Sequence, residues 1–207
     1  MEIITKKYEV FTFEELGEEI KEKLMKEQVE KERECYCEFN LFDDMENTAE
    51  ELLQEYFQGA TFTKIYYDLG YSQGSGAQIN FNINILDLNK KYIFLSKKAI
   101  KFIETVGLPD FKIKQSGWYY HEKAITIEWY FIDDFNYYDD FLTDDEVKTI
   151  NEKIEHIINN DFYDDIVKMN RELTKQGYNF IEDDTAFSEM AKDYLNGERF
   201  LKDGTLF

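Results

Sequence analysis

Several residue types that mark particular classes of protein are scarce in this chain of 207 residues. It has one proline, Pro109, so no proline-rich linker divides it. Its two cysteines, Cys35 and Cys37, are too few for a disulfide framework, and we expect a reducing, cytoplasmic setting. No apolar run approaches the roughly 18 residues of a membrane span, and the first residues lack the apolar stretch of a signal peptide. We therefore expect no membrane association.

Residues that commonly carry chemistry are also few. The two histidines, His121 and His156, are isolated in the sequence, whereas zinc needs three or four converging ligands. The motifs of serine hydrolases, zinc proteases and phosphate-binding loops are absent. We predict that the protein is not an enzyme and holds neither a metal nor a cofactor. The alternative is a serine nucleophile at Ser72, with His121 as its base.

Negative charge is in large excess and unevenly spread. The chain has 24 basic and 44 acidic residues, which gives a formal net charge of -20. The net charge is -11 over residues 1–60, +3 over 61–131 and -12 over 132–207. Such a field repels nucleic acid and attracts basic surfaces, so we predict no direct binding of nucleic acid. Two interpretations stay open: the acidic ends form a functional surface, or they only keep the protein soluble.

Apolar residues are plentiful enough for a core, because 43% of the chain is hydrophobic and 17% is aromatic. Periodicity predicts an α+β fold: a mostly antiparallel sheet of about five strands with flanking helices and a helical C-terminal third. We expect one domain over 1–207, with 142–207 as a candidate helical subdomain. The predicted strands cover 3–11, 64–69, 78–85, 110–116 and 119–131. The predicted helices cover 13–34 after a capping box at Thr12 and Glu15, 45–57, 91–106 with Ile93 turned inward, 147–173 with a break near Asn159 and Asn160, and 185–196.

A glycine-containing turn is the most informative feature of the chain. Residues 71–77 read Tyr-Ser-Gln-Gly-Ser-Gly-Ala and lie between two segments in which apolar and polar residues alternate. This pattern predicts a hairpin in which at least one of the two glycines has a positive φ. The turn is either structural or a recognition site, and its residues are Tyr71, Ser72, Gln73, Gly74, Ser75 and Gly76. A secondary candidate site consists of Trp118, Tyr120 and His121, in which we expect His121 to be structural or to bind a partner.

The strand predicted after the turn has one apolar and one amide face. Gln78, Asn80, Asn82 and Asn84 alternate with apolar residues. The amide row is either a solvated face of the sheet or a hydrogen-bonding surface for a partner.

Residues 133–146 hold seven acidic residues and neither lysine nor arginine, and aromatic residues are interleaved with the acids. Aromatic side chains supply much of the energy of protein interfaces, and carboxylates steer association. We therefore predict a partner-binding patch, with a solvated loop and a metal site as alternatives. The predicted patch consists of Asp133, Asp134, Tyr137, Tyr138, Asp139, Asp140, Phe141, Asp144, Asp145 and Glu146.

Four segments, in the same order along the chain, resemble a family of small phage and prophage proteins. They are residues 10–16, the turn at 71–77, the Trp-Tyr-Tyr-His run at 118–121 and the tail at 194–204. Members of the family carry a similar turn, YSQGDGA, and this chain has Ser75 where they usually have aspartate. A role that needs this carboxylate is therefore not carried over.

Members of that family are often labelled as the antitoxin of a toxin–antitoxin stability system. The resemblance implies a phage-derived protein in the cytoplasm of a host cell. By analogy with small acidic phage inhibitors, we expect it to bind and inhibit a basic, nucleic-acid-binding host protein, such as a CRISPR or restriction nuclease complex, by mimicking nucleic acid. The alternatives are an antitoxin-like binding protein and an enzyme or ligand-binding protein that uses the glycine turn.

Overall fold

An antiparallel sheet of four strands organises the middle of the chain. The structure is a computed structural model, and it describes residues 6–117, 119–130 and 142–207. Helices precede and follow the sheet, which confirms the predicted α+β class with a helical C-terminal region. The described residues form four strands rather than the predicted five. None of their helices is long and apolar enough to cross a membrane.

The elements follow one another in the order helices, sheet, helices. They are a 3₁₀ turn (Phe13–Glu15), α1 (Glu18–Phe39), α2 (Leu41–Tyr56), β1 (Thr61–Asp68), β2 (Gly76–Ile83), α3 (Ile85–Tyr92), α4 (Lys97–Val106), β3 (Phe111–Gln115), β4 (Ile125–Glu128), α5 (Asp144–Ile157), a π-helical segment (Ile158–Phe162), α6 (Tyr163–Ile181) and α7 (Asp184–Gly197). At the predicted break near Asn159 and Asn160 the helix does not end, because the backbone stays helical through a π-helical segment that joins α5 to α6. The predicted last helix is confirmed by α7.

The described residues divide into two compact units. The helical unit contains residues 6–42 and 179–207, and the sheet unit contains the described residues of 43–178. Neither boundary falls at residue 142, and the expectation of one domain with a helical subdomain stays a prediction.

The helical unit is built around a small apolar cluster of Phe13, Leu16, Leu195 and Phe200. Phe11 and Phe200 exchange two backbone hydrogen bonds, of 2.8 and 2.9 Å. This bridge is the only strand-like pairing within residues 6–11, so the predicted opening strand is wrong over its described part. This segment contacts the C-terminal tail at two points, because the rings of Tyr8 and Phe207 also lie 5.9 Å apart.

The first predicted helix begins at Glu18 rather than directly after the capping box. The capping box is present, because the Thr12 backbone N–H donates to Glu15 Oε2 at 2.8 Å. It caps only a 3₁₀ turn, since Leu16 is extended with a ψ of 157° and Gly17 then becomes the N-cap of α1. The α-helix therefore starts at Glu18, and it continues to Phe39 rather than ending at residue 34.

The sheet has the order β1-β2-β3-β4, with every neighbouring pair antiparallel. Ile79 of β2 pairs with Ile65 of β1, and Phe81 pairs with Ile113 of β3. The register of β1 shifts between Phe62 and Lys64. The two predicted hairpins are therefore present, with β1 and β2 on either side of the glycine turn.

The predicted helix over 91–106 is two helices, because Ile93 takes a left-handed conformation with a φ of 50°. Asn89 fixes the break, since its side-chain oxygen accepts from the backbone N–H groups of Phe94 and Leu95 at 2.8 and 2.7 Å. Ser96 then caps α4. Ile93 is highly exposed rather than turned inward.

Phenylalanine rings hold the helices of the sheet unit on the sheet. Phe57 follows α2, and its ring lies 5.3 Å from the ring of Phe81 on β2 and 5.2 Å from that of Phe162, which precedes α6. All three side chains are buried. Aromatic pairs in these arrangements add to the stabilisation from burial alone.

Helix α6 also binds β2 through polar side chains. Strand β2 pairs with β3 only from Phe81 onward. Before that point, the backbone N–H of Ala77 donates to Thr174 Oγ1 at 2.8 Å, and that of Ile79 donates to Asn170 Oδ1 at 3.1 Å. The buried Asn170 also donates to the carbonyl of Glu122 at 3.3 Å. Side chains of α6 thus take the place of a strand beside the first half of β2.

Replacing Asn170 by Leu should destabilise the protein by roughly 2–4 kcal/mol, because it leaves a buried N–H and a buried C=O without partners at about 1–3 kcal/mol each. Urea denaturation measures the change. Lys175→Ala, at an exposed position of the same helix, is the control and should have little effect. Equal unfolding midpoints for the two variants would show that Asn170 does not hold β2.

Candidate functional site

The glycine turn is a closed structure rather than a loose loop. Ser75 Oγ accepts from the Ser72 backbone N–H at 2.7 Å and lies 3.0 Å from Ser72 Oγ, and the Ser75 N–H donates to the Ser72 carbonyl at 3.1 Å. The Ser75 hydroxyl accepts a bond that an aspartate carboxylate could also accept. Tyr71, just before this closure, has a φ of 55°. A non-glycine residue in the left-handed region costs energy and is typical of functional sites.

Both glycines of the turn allow the segment 119–124 to approach. The Gly74 carbonyl accepts from the Tyr120 N–H at 3.0 Å, and a Cβ on Gly74 would overlap the ring of Tyr119. Gly76 has a φ of 156°, and a Cβ there would lie 2.5 Å from the carbonyl oxygen of Tyr120. The predicted positive φ is therefore confirmed at Gly76.

The amide side chains of β2 form hydrogen bonds with the backbone on both sides of this approach, including the segment 119–124. Gln78 is completely buried, and its Nε2 donates to the carbonyls of His121 and Ala124, the latter at 2.9 Å. Asn80 Oδ1 accepts from the Gln115 N–H at 2.8 Å. The amides at 78 and 80 are thus neither a solvated face nor a partner surface. They bind the chain's own backbone.

Five tyrosines surround the turn, and we call them the tyrosine surface: Tyr66, Tyr71, Tyr119, Tyr120 and Tyr178. The ring of Tyr71 lies 4.9 Å from that of Tyr178 on α6, and the rings of Tyr66 and Tyr120 stack at 6.4 Å. Tyr71 and Tyr119 are nevertheless 68% and 65% exposed. The turn and the segment 119–124 that packs on it therefore present two large aromatic side chains to solvent, and a hydrogen bond from the Tyr120 N–H to the Gly74 carbonyl joins the two backbones.

The start of α2 lies close to this surface. Gly177 of α6 precedes Tyr178, and a Cβ on it would lie 2.9 Å from both Leu69 Cδ1 and Met45 Sδ. Leu69 follows β1 and lies two residues before the glycine turn, and Met45 lies near the N-terminus of α2. Gly177 of α6 therefore lies between the tyrosine surface and the buried side of α2.

Helix α2 carries carboxylates that are mostly exposed and that form no ion pair with a described residue. Met45, Ala49 and Leu53 are buried on one side of the helix. Acidic side chains cover the other side, and the helix contains neither lysine nor arginine. The acidic face of α2 consists of Asp43, Glu46, Glu50, Glu51 and Glu55, none of which forms an ion pair with a described residue.

Helix α1 is also acidic, but several of its charges are compensated. Lys21 lies 2.6 Å from Glu18, and Arg33 lies 2.8 Å from Glu30. Opposite charges at such spacings stabilise a helix, whereas like charges, such as Glu46 and Glu50 in α2, destabilise it. Sequence analysis missed the acidic face of α2 because it counted charge over 1–60 as one block. Six acids and no base over 43–56 were the available signal.

Most of the predicted acidic patch lies outside the described residues: Asp133, Asp134, Tyr137, Tyr138, Asp139, Asp140 and Phe141. Asp144 and Asp145 are exposed in the first turn of α5. Glu146 has an internal role, since its Oε2 accepts from Lys98 Nζ at 2.6 Å and from the Thr143 N–H at 2.8 Å. These bonds lower the pKa of Glu146 to about 2, the Lys98 bond most.

The secondary candidate site is described only in part, because Trp118 lies outside the described residues. Tyr120 belongs to the tyrosine surface. His121 Nε2 lies 3.2 Å from Glu122 Oε2, and its Nδ1 accepts from the Lys123 N–H at 3.3 Å. Among the described hydrogen bonds, Ser72 Oγ contacts Ser75 and not His121. No three His, Cys, Asp or Glu residues converge on a metal-sized site within the described ranges.

Comparison with known proteins returned no matching family model, no matching curated protein and no matching solved structure. The resemblance to phage and prophage proteins therefore stays a prediction.

Gly76→Val should destabilise the protein by roughly 1–3 kcal/mol, because the new side chain meets Tyr120 and forces a φ that valine avoids. A thermal melt measures the loss. Gly197→Val is the matched control, since a Cβ on Gly197 meets nothing within 4 Å. If both variants melt at the wild-type temperature, the close approach at Gly76 is not required.

Glu146→Gln should flatten the acid side of the pH–stability profile. The pKa of folded Glu146, about 2, is below the ordinary 4.5. A carboxyl of this kind stabilises the fold above its unfolded pKa, and the contribution is lost as the pH falls through the folded pKa. Wild-type protein should therefore lose stability more steeply than the variant between about pH 5 and pH 2.

The measurement is urea denaturation at several pH values and two salt concentrations, because exposed ion pairs are weakened by salt. Asp145→Asn removes the same charge from the same helical turn and serves as the control. Parallel profiles for wild type and Glu146→Gln would contradict the assignment.

Proposed function

We propose that this chain is a non-enzymatic binding protein that inhibits a basic, nucleic-acid-binding host protein. The observation that carries the proposal is the exposure of Tyr71, on the hydrogen-bonded turn, and of Tyr119, on the segment that packs against it. In this proposal, the tyrosine surface anchors the partner and the acidic face of α2 steers it.

The anchoring role follows from the cost of ordering side chains on binding. A tyrosine has few rotatable bonds and a large apolar area, and it is enriched at the centre of interfaces. The ring of Tyr71 packs against that of Tyr178, and the ring of Tyr119 covers Gly74, so both rings have support on the side that faces the protein. A partner would therefore meet rings that are already oriented, and the entropy lost on binding is small.

The steering role follows from the lack of compensation in α2. Four of its carboxylates are exposed over more than three helical turns and form no ion pair with a described residue: Asp43, Glu50, Glu51 and Glu55. Such a row attracts a positively charged surface over a distance set by the screening length, about 8 Å at physiological salt. It also repels nucleic acid, which is consistent with the excess of 44 acidic over 24 basic residues in the whole chain.

The tyrosine surface and the acidic face of α2 are complementary to the groove in which a protein binds nucleic acid, because such a groove is basic and often contains arginine. Together with the resemblance to phage proteins, they favour a CRISPR or restriction nuclease complex as the target. The protein would act in the host cytoplasm by occupying the groove in place of nucleic acid.

The proposal is tested by phage plating on bacteria that carry a CRISPR or restriction system. Expression of the wild-type chain should raise the plating efficiency of a phage that the system otherwise blocks. Tyr71→Ala with Tyr119→Ala should abolish the rise. Tyr8→Ala with Tyr194→Ala removes two exposed tyrosines of the helical unit and should leave it intact. No rise on any system in a panel of both kinds would contradict the proposal.

Binding kinetics against the system that responds separate the two roles. Loss of one anchor costs about 2 kcal/mol, which corresponds to a roughly 30-fold faster dissociation, so the variant that lacks both tyrosines should dissociate at least about 30-fold faster. Asp43→Asn with Glu50→Gln and Glu51→Gln should mainly slow association at low salt. The control Glu19→Gln, Glu22→Gln and Glu34→Gln makes the same change of charge on α1. Equal association rates for the two charge variants would rule out steering by α2.

A further inference from the structure

The connection between α3 and α4 presents an isoleucine that folding does not explain. Ile93 is 81% exposed and has a φ of 50°. A β-branched residue rarely adopts the left-handed region, because its Cβ crowds the following carbonyl oxygen, and glycine or asparagine would adopt it at lower cost. The exposed side chain gains little from packing in return. Backbone strain of this kind is typical of functional positions.

The backbone around Ile93 is fixed by hydrogen bonds. The Ile93 N–H donates to the Asn89 carbonyl at 2.8 Å. Asn89 Oδ1 accepts from the N–H groups of the next two residues, Phe94 and Leu95, at 2.8 and 2.7 Å, and both of these side chains are buried. The isoleucine is therefore presented to solvent on an ordered backbone, so a contact with it would lose little conformational entropy.

Two lysines that follow Ile93 lack compensation. Lys97 and Lys101 are exposed and form no ion pair with a described residue, and neither does Glu104, one turn further along α4. Like charges four residues apart destabilise a helix, and Lys97 also lies at the positive N-terminal end of α4. We call Ile93, Lys97 and Lys101 the basic corner. It breaks three local rules of stability, which points to a role in binding.

The acidic face of α2 carries the opposite charge at the same spacing. Glu51 and Glu55 are exposed, lie four residues apart and form no ion pair with a described residue. Side chains at this spacing are about 5–6 Å apart on a helix, so the two lysines of α4 match these two carboxylates in distance. The two pairs do not meet within one copy, because neither is in an ion pair there.

We propose that the basic corner of one copy of this chain binds the acidic face of α2 in a second copy. The two lysines would face Glu51 and Glu55, and the second copy would cover Ile93. Copies with a net charge of -20 repel each other at long range, but physiological salt screens charges beyond about 8 Å, and the facing charges would be closer than that. The inference goes beyond the proposed function, since this contact needs no host protein.

The contact joins two different surfaces and is therefore head-to-tail. A dimer formed in this way leaves one basic corner and one acidic face uncovered, so further copies can add. It would also compete with a basic partner, because both use the acidic face of α2.

Sedimentation equilibrium of the full-length protein at physiological salt, over a range of concentrations, measures the association. The average mass of the wild type should rise above that of one chain as the concentration increases. Lys97→Gln with Lys101→Gln, and separately Glu51→Gln with Glu55→Gln, should each weaken association about 2- to 30-fold, the range for two exposed ion pairs. A wild type that stays monomeric at every concentration would overturn the inference.

A mixture of the two variants tests which surfaces meet. The lysine variant keeps its acidic face and the glutamate variant keeps its basic corner, so one intact contact can form between them. The equimolar mixture should therefore give dimers with near wild-type affinity that do not grow further. A mixture that associates no better than either variant alone would exclude this pairing.

The glutamate variant also separates the contact from overall charge repulsion. It removes two negative charges, so it should associate more strongly than the wild type if overall repulsion governs, and more weakly if the contact is correct. Glu34→Gln with Glu38→Gln makes the same change at the same spacing on α1, at exposed positions, and is the matched control. Equal association of the two glutamate variants would contradict the proposal.

Ile93→Gly tests the apolar part of the contact. Glycine adopts the left-handed region readily, so the variant should melt at or above the wild-type temperature. Its association should be about 5-fold weaker or more, the loss expected for an interface anchor. Met190→Ala removes another exposed apolar side chain and should leave association unchanged. Wild-type association of Ile93→Gly, or a lower melting temperature, would show that the isoleucine is not held for binding.

Discussion

Strand β2 separates from β3 before either strand ends, and the polar side chains that fill the gap determine where the neighbouring parts lie. The backbone groups along the first half of β2 are buried, so each needs a hydrogen-bond partner. Asn170 and Thr174 supply it from α6, while Gln78 reaches across to the segment 119–124. Helix α6, the glycine turn and the segment that carries Tyr119 are thereby fixed to one strand. Tyr71 and Tyr119 can be exposed and still ordered because of these few amides.

The tyrosine surface and the acidic face of α2 act over different distances. Contacts of an aromatic ring extend only a few ångströms and depend on shape, whereas charge acts over roughly 8–10 Å in physiological salt. A surface that has both can attract many basic proteins and retain few of them. In the proposed function, the tyrosine surface would then determine selectivity, and the acidic face of α2 would determine the rate of association.

Much of the fold could be predicted from the sequence because local rules and tertiary packing agree. Strict alternation in β2 and two glycines before it led to the correct hairpin, and the positive φ at Gly76 followed from the turn chemistry. The errors occur where a side-chain hydrogen bond to the backbone overrides a local pattern. Ile93 fits a helical pattern, but the side chain of Asn89 ends the helix there. The burial of Gln78 could not be predicted, because alternation shows that a strand has two different faces but does not show what covers each face.

The candidate site was predictable only in part. The turn was found from its glycines, but its exposed rings come together from three places, since Tyr178 lies on α6 and Tyr119 after β3. No spacing in the sequence could indicate this. The acidic face of α2 is visible in the sequence of residues 43–56. A net charge summed over residues 1–60 does not show it, because the sum also includes the lysines and the arginine of α1.

The register shift in β1 affects how copies of this protein behave in concentrated solution. In the described sheet, β1 is an outermost strand, and an outermost strand can pair with another chain and extend the sheet. The irregularity between Phe62 and Lys64 interrupts the regular spacing of its backbone groups, and the lysine next to it is exposed. Both features are ones that discourage pairing along an outermost strand. They protect an edge that is otherwise rich in aromatic and β-branched side chains, which favour pairing between strands.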